Sequence, residues 1–388
     1  MTTTSTPINT INETTNKNIT VIGIGKLGLG FALLLEKSGY NVFGVDIFPE
    51  YVAKINDKSI RFSEPGYNDL LDNCKNLIAS TDLNAALAHS DIVFIIVQTP
   101  NGGGSRFYDH SILSNLLEKI NRMTPVNKHF IIGCTVMPKY IETIGKTILS
   151  KAVSCTLSYN PEFVAQGDIV RGFENPDIIL LGTDSESLPV RIREIYDSMT
   201  KSSPKYCIMT PTEAEIVKIS LNGFITTKIS FANMVSDLCD TLLVSRDRVL
   251  DAIGSDSRIG NKYFRPGYSF GGPCFPRDTR ALKQLMDQNR ILSDILTATT
   301  EYNEEHIQFQ TKQLLEDHRK SGEYYIIIED VCYKENSQIP IIEESAKLKI
   351  AESLVKKYNQ EVIIRDVEPI LNEVKKEYGN LFLYDTKL

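Results

Sequence analysis

The sequence of 388 residues lacks long hydrophobic runs, long basic runs and Cys-x-x-Cys pairs. No apolar run is long enough to cross a bilayer, and the N-terminus lacks the apolar core of a signal peptide, so neither feature is predicted. The net charge of -7 disfavours nucleic acid and anionic membranes as partners. The seven cysteines are scattered and odd in number, which indicates reduced thiols in the cytoplasm rather than a disulfide framework or zinc ribbon. The five histidines have no ligand spacing, so no metal is predicted.

Hydrophobic residues, by contrast, make up 42% of the chain, which is enough for two or three domains. Residues 1–17 are rich in Thr, Asn and Ser and have no hydrophobic period, so we predict that they form a disordered tail. The first domain is therefore expected to begin near residue 18.

A glycine-rich turn follows the first predicted strand. Gly23, Gly25 and Gly28 have the Gly-x-Gly-x-x-Gly spacing that brings a pyrophosphate onto backbone N–H groups at a helix start, and a helix is predicted over residues 29–38. The second strand ends at Asp46, where a carboxylate accepts hydrogen bonds from ribose hydroxyls and repels a 2′-phosphate. The turn therefore predicts binding of NAD rather than NADP. The alternative is a glycine turn that only joins a strand to a helix.

Further predicted strands alternate with helical or polar segments. Their apolar runs are continuous, as expected for parallel strands covered on both faces. These strands are residues 77–79, 91–97, 130–134, 155–158 and 178–181. Thr99 and Thr135 follow two of them, at the edge where ligands of doubly wound sheets bind. Residues 102–105, Gly-Gly-Gly-Ser, predict a flexible loop, and a mobile lid is the alternative.

A cysteine follows two glycines later in the chain. Gly271 and Gly272 let the backbone approach a ligand closely, and Cys274 comes at the start of a predicted helix. The partial positive charge there favours the thiolate, which is the form that attacks carbonyls. Arg277 adds a cation and Asp278 a carboxylate one turn away. A buried, inert cysteine is the alternative, but the glycines and the charged pair favour a nucleophile.

A long helix is predicted to begin at Thr210, which supplies a hydroxyl cap with acids in the first turn. Lys218 and Asn222 lie four residues apart on it and share a face. Taken alone, this pair is more typical of solvated surface than of an active site. Glu162 closes an earlier strand and places a carboxylate at the predicted ligand edge of the sheet.

Together these motifs resemble the UDP-glucose/GDP-mannose (nucleotide-sugar) dehydrogenase family, and most closely its UDP-glucose 6-dehydrogenase branch. The resemblance covers about residues 18–335 in order. Ser269 and Arg277 stand where the family usually has glycine and lysine. The segments that carry the resemblance are residues 23–28, 98–100, 134–136, 160–163, 218–222, 258–260 and 270–278.

The resemblance implies an α/β protein with two Rossmann-like doubly wound domains joined by a long central helix. The NAD-binding domain would be residues 18–209, a central helical region residues 210–300, and a C-terminal nucleotide-binding domain residues 301–388. In the last of these the sequence predicts strands at residues 323–328 and 360–365 around a helix at residues 343–358. The central helix would form the core of a homodimer, which would bury its apolar face.

The implied reaction oxidises a primary alcohol at C6 of a nucleotide sugar to a carboxylate and passes two hydrides in turn to two NAD molecules. Cys274 would add to the intermediate aldehyde, because the resulting thiohemiacetal can lose hydride and give a thioester. Lys218 and Asn222 would stabilise oxyanion character at C6. The residues that would support proton removal and hydrolysis around a water are Asp278, Glu162 and Thr135, with the general base unassigned among them.

The resemblance also implies binding residues. Those for the cofactor are Gly23, Gly25, Gly28, Asp46, Thr99, Thr135 and Arg277. Those for the sugar nucleotide are Glu162, Phe163, Lys218, Asn222, Arg258, Tyr263, Phe264, Gly267, Gly271 and Lys334. The arginine in this set would reach across the dimer.

The sequence departs from the family pattern mainly near its end. Glu329 and Asp330 replace a glycine turn, the arginine expected after Lys334 is absent, and the chain stops soon after the last predicted strand. Gln166 replaces a second glutamate, and Tyr51 replaces a basic residue after the ribose carboxylate. These changes concern affinity for the nucleotide and the cofactor more than the chemistry.

Several alternatives remain open at this point. The substrate is UDP-glucose, a UDP-N-acetylhexosamine or GDP-mannose. A dehydrogenase that performs one oxidation, of the 6-phosphogluconate or 3-hydroxyacid kind, shares the glycine turn and a helical Lys/Asn pair but needs no cysteine. A nucleotide-sugar-binding protein without activity would fit the altered C-terminal part.

Overall fold

The computed structural model describes residues 17–101, 107–334 and 339–387. Nearly all of the predicted disordered tail and the glycine loop at residues 102–105 lie outside them. None of the helices in the described part is long and apolar enough to cross a membrane. Within the same part, no group of three His, Cys, Asp or Glu side chains is arranged to hold a metal ion.

The first sheet contains eight strands. In chain order they are β1 (Asn18–Ile22), β2 (Asn41–Val45), β3 (Leu77–Ser80), β4 (Ile92–Ile95), β5 (His129–Ile132), β6 (Thr156–Tyr159), β7 (Ile178–Gly182) and β8 (Lys205–Met209). Across the sheet the order is β3-β2-β1-β4-β5-β6-β7-β8. The first six are parallel, β7 joins β6 antiparallel, and β8 runs parallel to β7. The chain reverses its direction of travel across the sheet between β1 and β4, which is where doubly wound sheets bind dinucleotides.

Helices cover both faces of this sheet. They are α1 (Lys26–Lys37), α2 (Pro49–Asn56), α3 (Tyr67–Asn73), α4 (Leu83–His89), α5 (Ser111–Arg122), α6 (Lys146–Ile148), α7 (Ile169–Glu174) and α8 (Leu188–Met199), with a π-helical segment at Tyr140–Gly145. Alternate residues of β4 enter opposite cores. Ile92 and Phe94 pack with residues of α1 and α8, whereas Val93 and Ile95 pack with residues of α5. The apolar run of this strand is therefore continuous because helices cover both of its faces, as the sequence predicted.

Four helices follow the first sheet: α9 (Pro211–Thr241), α10 (Arg246–Gly254), α11 (Phe275–Gln288) and α12 (Asp294–Ser321). The long helix α9 begins with a reciprocal cap, in which Thr210 accepts from the Glu213 N–H and Glu213 accepts from the Thr210 N–H. Ile219 of α9 packs with Leu282 of α11 and Leu296 of α12 in a small core. The boundary proposed between residues 300 and 301 lies inside α12.

The C-terminal sheet has three parallel strands in the order β11-β10-β9. Its elements are β9 (Ile326–Glu329), α13 (Ala346–Tyr358), β10 (Val362–Asp366), α14 (Glu368–Tyr378) and β11 (Leu383–Thr386). Residues of α12 enter the same core as this sheet, so the helix connects the central region to the last domain. The predicted α/β class with two Rossmann-like units and a long central helix is confirmed. In the described residues, the second unit has the element order β-α-β-α-β.

Two predicted boundaries need correction, and two strands were missed. The first helix begins at Lys26 rather than at residue 29, so Gly28 lies inside its first turn. The strand predicted at residues 323–328 begins only at Ile326. The strands β8 and β11 were not predicted, because their half-exposed residues do not form continuous apolar runs.

Candidate active site

The glycine turn after β1 forms an open cradle at the start of α1. A Cβ on Gly23, whose φ is 89°, would lie 2.5 Å from the Ile96 carbonyl oxygen, and one on Gly28 would lie 2.0 Å from the Gly23 carbonyl oxygen. These two positions need glycine for packing. A Cβ on Gly25, in contrast, would meet no heavy atom within 4 Å.

The first turn of α1 has neither an acid nor a side-chain cap at Gly25. Its first N–H groups therefore have no helical acceptor, and the helix dipole favours an anion beside them. Because the space beside Gly25 is open as well, the cradle fits the pyrophosphate of a dinucleotide.

Asp46 lies directly after β2, at the same edge of the sheet. The N–H of Gly23 donates to the Val45 carbonyl at 2.7 Å, which holds the glycine turn beside this carboxylate. Tyr51, which replaces a basic residue, donates from its hydroxyl to the Ile24 carbonyl at 3.0 Å. Burial and the charge of Asp46 raise the pKa of Tyr51 to about 12, so this residue acts on the turn as a neutral donor.

Thr99 and Thr135 follow the neighbouring strands β4 and β5. Thr99 is buried and Thr135 is half-buried. Because both strands are parallel, these hydroxyls lie at the edge that also carries the glycine turn.

Cys274 occupies the N-cap position of α11 and is exposed, whereas the other six cysteines are buried or half-buried. All seven are free. A guanidinium nitrogen of Arg277 lies 4.0 Å from its sulfur. Desolvation by the surrounding cleft nevertheless raises the pKa of the Cys274 thiol, and the Arg277 charge only partly opposes this effect. The net shift therefore favours the thiol, whereas the sequence predicted the thiolate, because burial outweighs the nearby positive charge.

Asp278 lies one turn further along α11 and is 1% exposed. Its Oδ2 accepts a hydrogen bond from Asn222 Nδ2 at 2.6 Å, and its Oδ1 accepts one from the Tyr108 hydroxyl. Arg277 Nε lies 3.5 Å from Oδ1. Both carboxylate oxygens of Asp278 are thus held by donors.

Lys218 and Asn222 are 7% and 8% exposed, so the alternative that they are solvated surface is wrong. The Lys218 ammonium donates to the main-chain carbonyl of Glu162 and lies 4.6 Å from the centroid of the Phe163 ring. Helix α9 therefore brings its Lys/Asn face against both the end of β6 and the start of α11.

Glu162 is the second carboxyl group of this cluster. Its Oε2 accepts from the Val164 N–H at 2.6 Å. Burial raises the pKa of Glu162 above its ordinary value, and the Lys218 ammonium acts in the opposite direction. Two carboxyl groups in one cleft thus have different environments, an arrangement typical of acid–base sites.

The two glycines before Cys274 approach the chain itself. A Cβ on Gly271 would lie 2.2 Å from the Glu344 carbonyl oxygen, and one on Gly272 would lie 2.3 Å from the Tyr333 ring. Gly272 also donates its N–H to the Glu343 carbonyl at 2.9 Å. The interpretation that these glycines make room for a ligand is corrected here, because the C-terminal domain fills the space at both Cβ positions.

Three other predicted substrate residues have different surroundings. Arg258 is exposed and pairs with Asp256 at 2.7 Å. Phe264 is 4% exposed in a core with Leu250, so its side chain is a packing residue. Tyr263 is 53% exposed, with its ring 6.1 Å from that of Phe275.

Gly267 and Lys334 complete the predicted substrate set. The Gly267 N–H donates to Asn233 Oδ1 at 3.2 Å, and its carbonyl is bonded by His306 Nε2 at 2.8 Å. The His306 Nδ1 meets Asp237 Oδ2 at 2.9 Å. Lys334 is exposed.

The sequence did not predict several residues of the site. Tyr108 reaches Asp278 across 170 positions of the chain, and no local pattern marks such a contact. Glu64, which is 2% exposed, accepts from the Gly167 and Ile169 N–H groups and fixes the segment after Phe163. A carboxylate shortly before a tyrosine-led helix is the only signal that could have indicated this role.

Comparisons with known proteins agree with this geometry. Residues 17–200 match the family model for the UDP-glucose/GDP-mannose dehydrogenase family, NAD binding domain, and residues 212–305 match its central domain. A UDP-glucose 6-dehydrogenase of Rickettsia bellii is 31% identical over 298 residues, which are 74% of this chain and 67% of that protein. One of Rickettsia felis is 28% identical over 380 residues, covering 95% and 83%.

A solved structure shows the same similarity. The UDP-glucose dehydrogenase from Pyrobaculum islandicum superposes with a TM-score of 0.84 at 26% identity and covers 95% of this chain and 86% of that one. The doubly wound sheet with its glycine cradle defines an NAD-dependent dehydrogenase. Within that class, the chain belongs to the UDP-glucose/GDP-mannose dehydrogenase family, the NAD-dependent nucleotide-sugar dehydrogenases.

Proposed function

We propose that the protein oxidises the C6 alcohol of UDP-glucose to a carboxylate in two NAD-dependent steps, giving UDP-glucuronate. The observation that carries this proposal is the position of Cys274, an exposed thiol at the start of α11. Lys218, Asn222, Asp278 and Glu162 form one connected cluster around that turn. The relatives named UDP-glucose 6-dehydrogenase support the choice of substrate.

Each oxidation removes a proton and a hydride, and NAD accepts the hydride. In the first, the C6 hydroxyl loses its proton to a carboxylate and becomes an aldehyde. The sulfur of Cys274 then adds to C6 and gives a thiohemiacetal, whose oxidation leaves a thioester. Water attacks the thioester carbon, the carbon–sulfur bond breaks, and the thiol is restored with a carboxylate product. Lys218 and Asn222 stabilise the negative oxygen at C6 in these steps.

We assign the proton acceptor to Glu162. Both oxygens of Asp278 are bonded by donors, Asn222 and Tyr108, which makes Asp278 a poor base. Burial raises the pKa of Glu162, which suits a group that takes up and returns a proton during the reaction. Thr135, at the end of β5, would order the water, and Asp278 would keep Asn222 oriented.

The cofactor binds along the glycine cradle in this proposal, with Asp46 on the adenosine ribose and Thr99 and Thr135 near the reacting end. Arg277 would contribute a charge beside the sulfur. The sugar nucleotide would contact Phe163, the backbone of residues 263–267, and Lys334. Arg258, exposed in the single chain, would contact the substrate of a second copy.

The two acids that replace a glycine turn do not leave an unpaired negative charge in that region. Lys387 lies 2.8 Å from Asp330, and Arg365 lies 3.2 Å from Glu329. This pairing supports retention of nucleotide binding by the C-terminal domain.

The test is the ratio of NADH formed to sugar nucleotide consumed, with limiting UDP-glucose and excess NAD. Two NADH per sugar and an acidic product are expected. One NADH would favour a single oxidation. Absence of turnover would direct the assay to a UDP-N-acetylhexosamine and GDP-mannose, and inactivity with all three would favour a binding protein.

The variant Cys274→Ala should abolish acid formation while leaving NAD binding unchanged. Cys207→Ala, a half-buried cysteine on β8, is the matched control and should retain activity. Full turnover by Cys274→Ala would remove the thioester route.

We further propose a homodimer through α9. Phe224, Phe231 and Leu238 recur every seven residues on this helix and are 67%, 48% and 57% exposed. An apolar stripe of this kind requires burial, and a second copy of the helix supplies a matching surface. Phe224→Glu should halve the mass measured by light scattering. Val190→Glu, at a 61% exposed position on α8, should leave the mass unchanged.

The proposed location is the cytoplasm. All seven cysteines are free, which fits a reducing compartment.

A further inference from the structure

Tyr108 lies in the connection between β4 and α5, which leaves the cofactor edge of the first sheet just after Thr99. The side chain is 4% exposed. The following residue anchors it, because the Asp109 N–H donates to the Pro100 carbonyl at 2.8 Å and Asp109 Oδ1 accepts from the Ser111 N–H at 2.9 Å. Tyr108 therefore has a fixed position at the end of this connection.

Both functional parts of Tyr108 contact α11. Its hydroxyl donates to Asp278 Oδ1, and the centre of the Arg277 guanidinium lies 4.5 Å from the centroid of its ring. A guanidinium at this distance from an aromatic face is attracted by the ring quadrupole. The Tyr108 ring is also parallel to the His110 ring, with 6.5 Å between centroids and 4° between planes.

Arg277 has few other supports. In the described part of the chain its buried Nε has no hydrogen-bond partner, and its nearest carboxylate oxygen, Asp278 Oδ1, lies 3.5 Å away. That same oxygen is bonded by Tyr108. The guanidinium is therefore held by the tyrosine ring and by this ion pair, and its position keeps one of its nitrogens 4.0 Å from Cys274 Sγ.

We propose that Tyr108 is a positioning residue for Cys274: it holds Arg277 beside the sulfur and thereby sets the reactivity of the thiol. The connection that leaves the cofactor edge thus supports the cation that stabilises the thiolate. The role of Cys274 as the nucleophile belongs to the proposed function, on which this inference rests.

The experiment measures the rate at which iodoacetamide alkylates Cys274 as a function of pH, by mass spectrometry of the peptide that contains it. This readout needs neither substrate nor turnover, so it stays valid if the proposed reaction is wrong. The half-buried Cys155 and Cys207 in the same protein give an internal reference for folding.

Tyr108→Leu removes the ring and should slow alkylation of Cys274 about tenfold at pH 8. Displacement of the cation raises the thiol pKa by about one unit, so a smaller fraction of the cysteine is the reactive thiolate. Arg277→Met should slow it by a similar factor. Because both changes remove one and the same interaction with the sulfur, the double variant should be no slower than either single variant. Tyr108→Phe keeps the ring and should alkylate within about twofold of the unchanged protein.

Two results would overturn the proposal. One is a Tyr108→Leu protein whose Cys274 alkylates at the original rate and with the original pH profile. The other is a double variant slowed by the product of the two single effects, about a hundredfold, which would mean independent action. Should the leucine variant not fold, Tyr108→Met offers a longer apolar side chain without an aromatic face and is judged by the same two criteria.

Discussion

A Cβ on Gly271 would lie 2.2 Å from the carbonyl oxygen of Glu344, so main chain touches main chain where the turn that carries Cys274 meets the C-terminal domain. Glu344 is fixed in turn by Arg280 of α11 at 2.6 Å and by Lys349 at 3.5 Å. These ion pairs lower the pKa of Glu344. The turn that carries Cys274 is thus braced from outside its own domain.

Gly271→Ala should destabilise the protein by about 2–3 kcal/mol, because backbone atoms cannot move aside as a side chain does. The loss is measured by urea denaturation. Gly267→Ala is the matched control: its Cβ would meet nothing within 4 Å, so its free energy of unfolding should change by less than about 1 kcal/mol. Equal losses in the two variants would contradict the close approach.

A methyl group at Gly25 in the glycine cradle should weaken NAD binding without a large change in the free energy of unfolding. Gly25→Ala adds a Cβ in open space at φ -62°, which alanine adopts freely, so the free energy of unfolding should change by less than about 1 kcal/mol. The NAD dissociation constant, measured by calorimetry, should rise at least about tenfold because the methyl group occupies the path of the pyrophosphate. Gly28→Ala should lose stability as well. Unchanged NAD affinity in Gly25→Ala would place the pyrophosphate elsewhere.

His110 should make stability depend on pH. Burial lowers the pKa of His110 to about 4, whereas an unfolded chain takes up this proton near pH 6.5. The stability that comes from keeping His110 neutral is therefore fully present above pH 6.5 and is lost as the pH falls towards 4. At pH 5 the free energy of unfolding has fallen by about 2 kcal/mol relative to neutral pH. His110→Gln keeps an acceptor for the Met137 N–H and should remove this part of the slope between pH 7.5 and 5. An identical slope in the variant would exclude the assignment.

The pair formed by His306 and Asp237 should hold the loop that we assign to the sugar nucleotide. His306 is 2% exposed, and its substitution by alanine removes a buried hydrogen-bond partner from Asp237 and from the Gly267 carbonyl. Within the described part of the chain, these two groups keep only Tyr302 and Gln310, respectively, as partners. We expect a loss of about 2–3 kcal/mol and a higher KM for the sugar nucleotide. Tyr302→Phe removes only one hydroxyl from Asp237 and should cost about 1 kcal/mol. A KM that responds equally to both changes would argue against a specific role for His306.

The parallel part of the first sheet could be predicted because most of its strands carry a run of apolar residues. β4, for example, is buried on both faces, and its sequence shows this directly. β8 and β11 contain no fully buried residue and lie at the edges of their sheets, so nothing in their composition distinguishes them from loops.

Part of the site could be predicted for a similar reason. The helical period predicted that Lys218 and Asn222 share a face, but it did not predict that this face is buried, which the structure shows. Contacts made across the chain follow no period. The glycines at 271 and 272 indicated a close approach, but the sequence could not tell whether a ligand or Glu344 would occupy the space.

The brace on the turn that carries Cys274 also has a consequence for the order of synthesis. Tyr333 and Glu344, which pack on the two glycines, leave the ribosome well after Cys274. The cofactor domain and the thiol are therefore made before the segment that fixes their geometry, and domains fold in that order during translation. This turn is completed last, so an interrupted chain carries the cysteine in a loop that has lost its support.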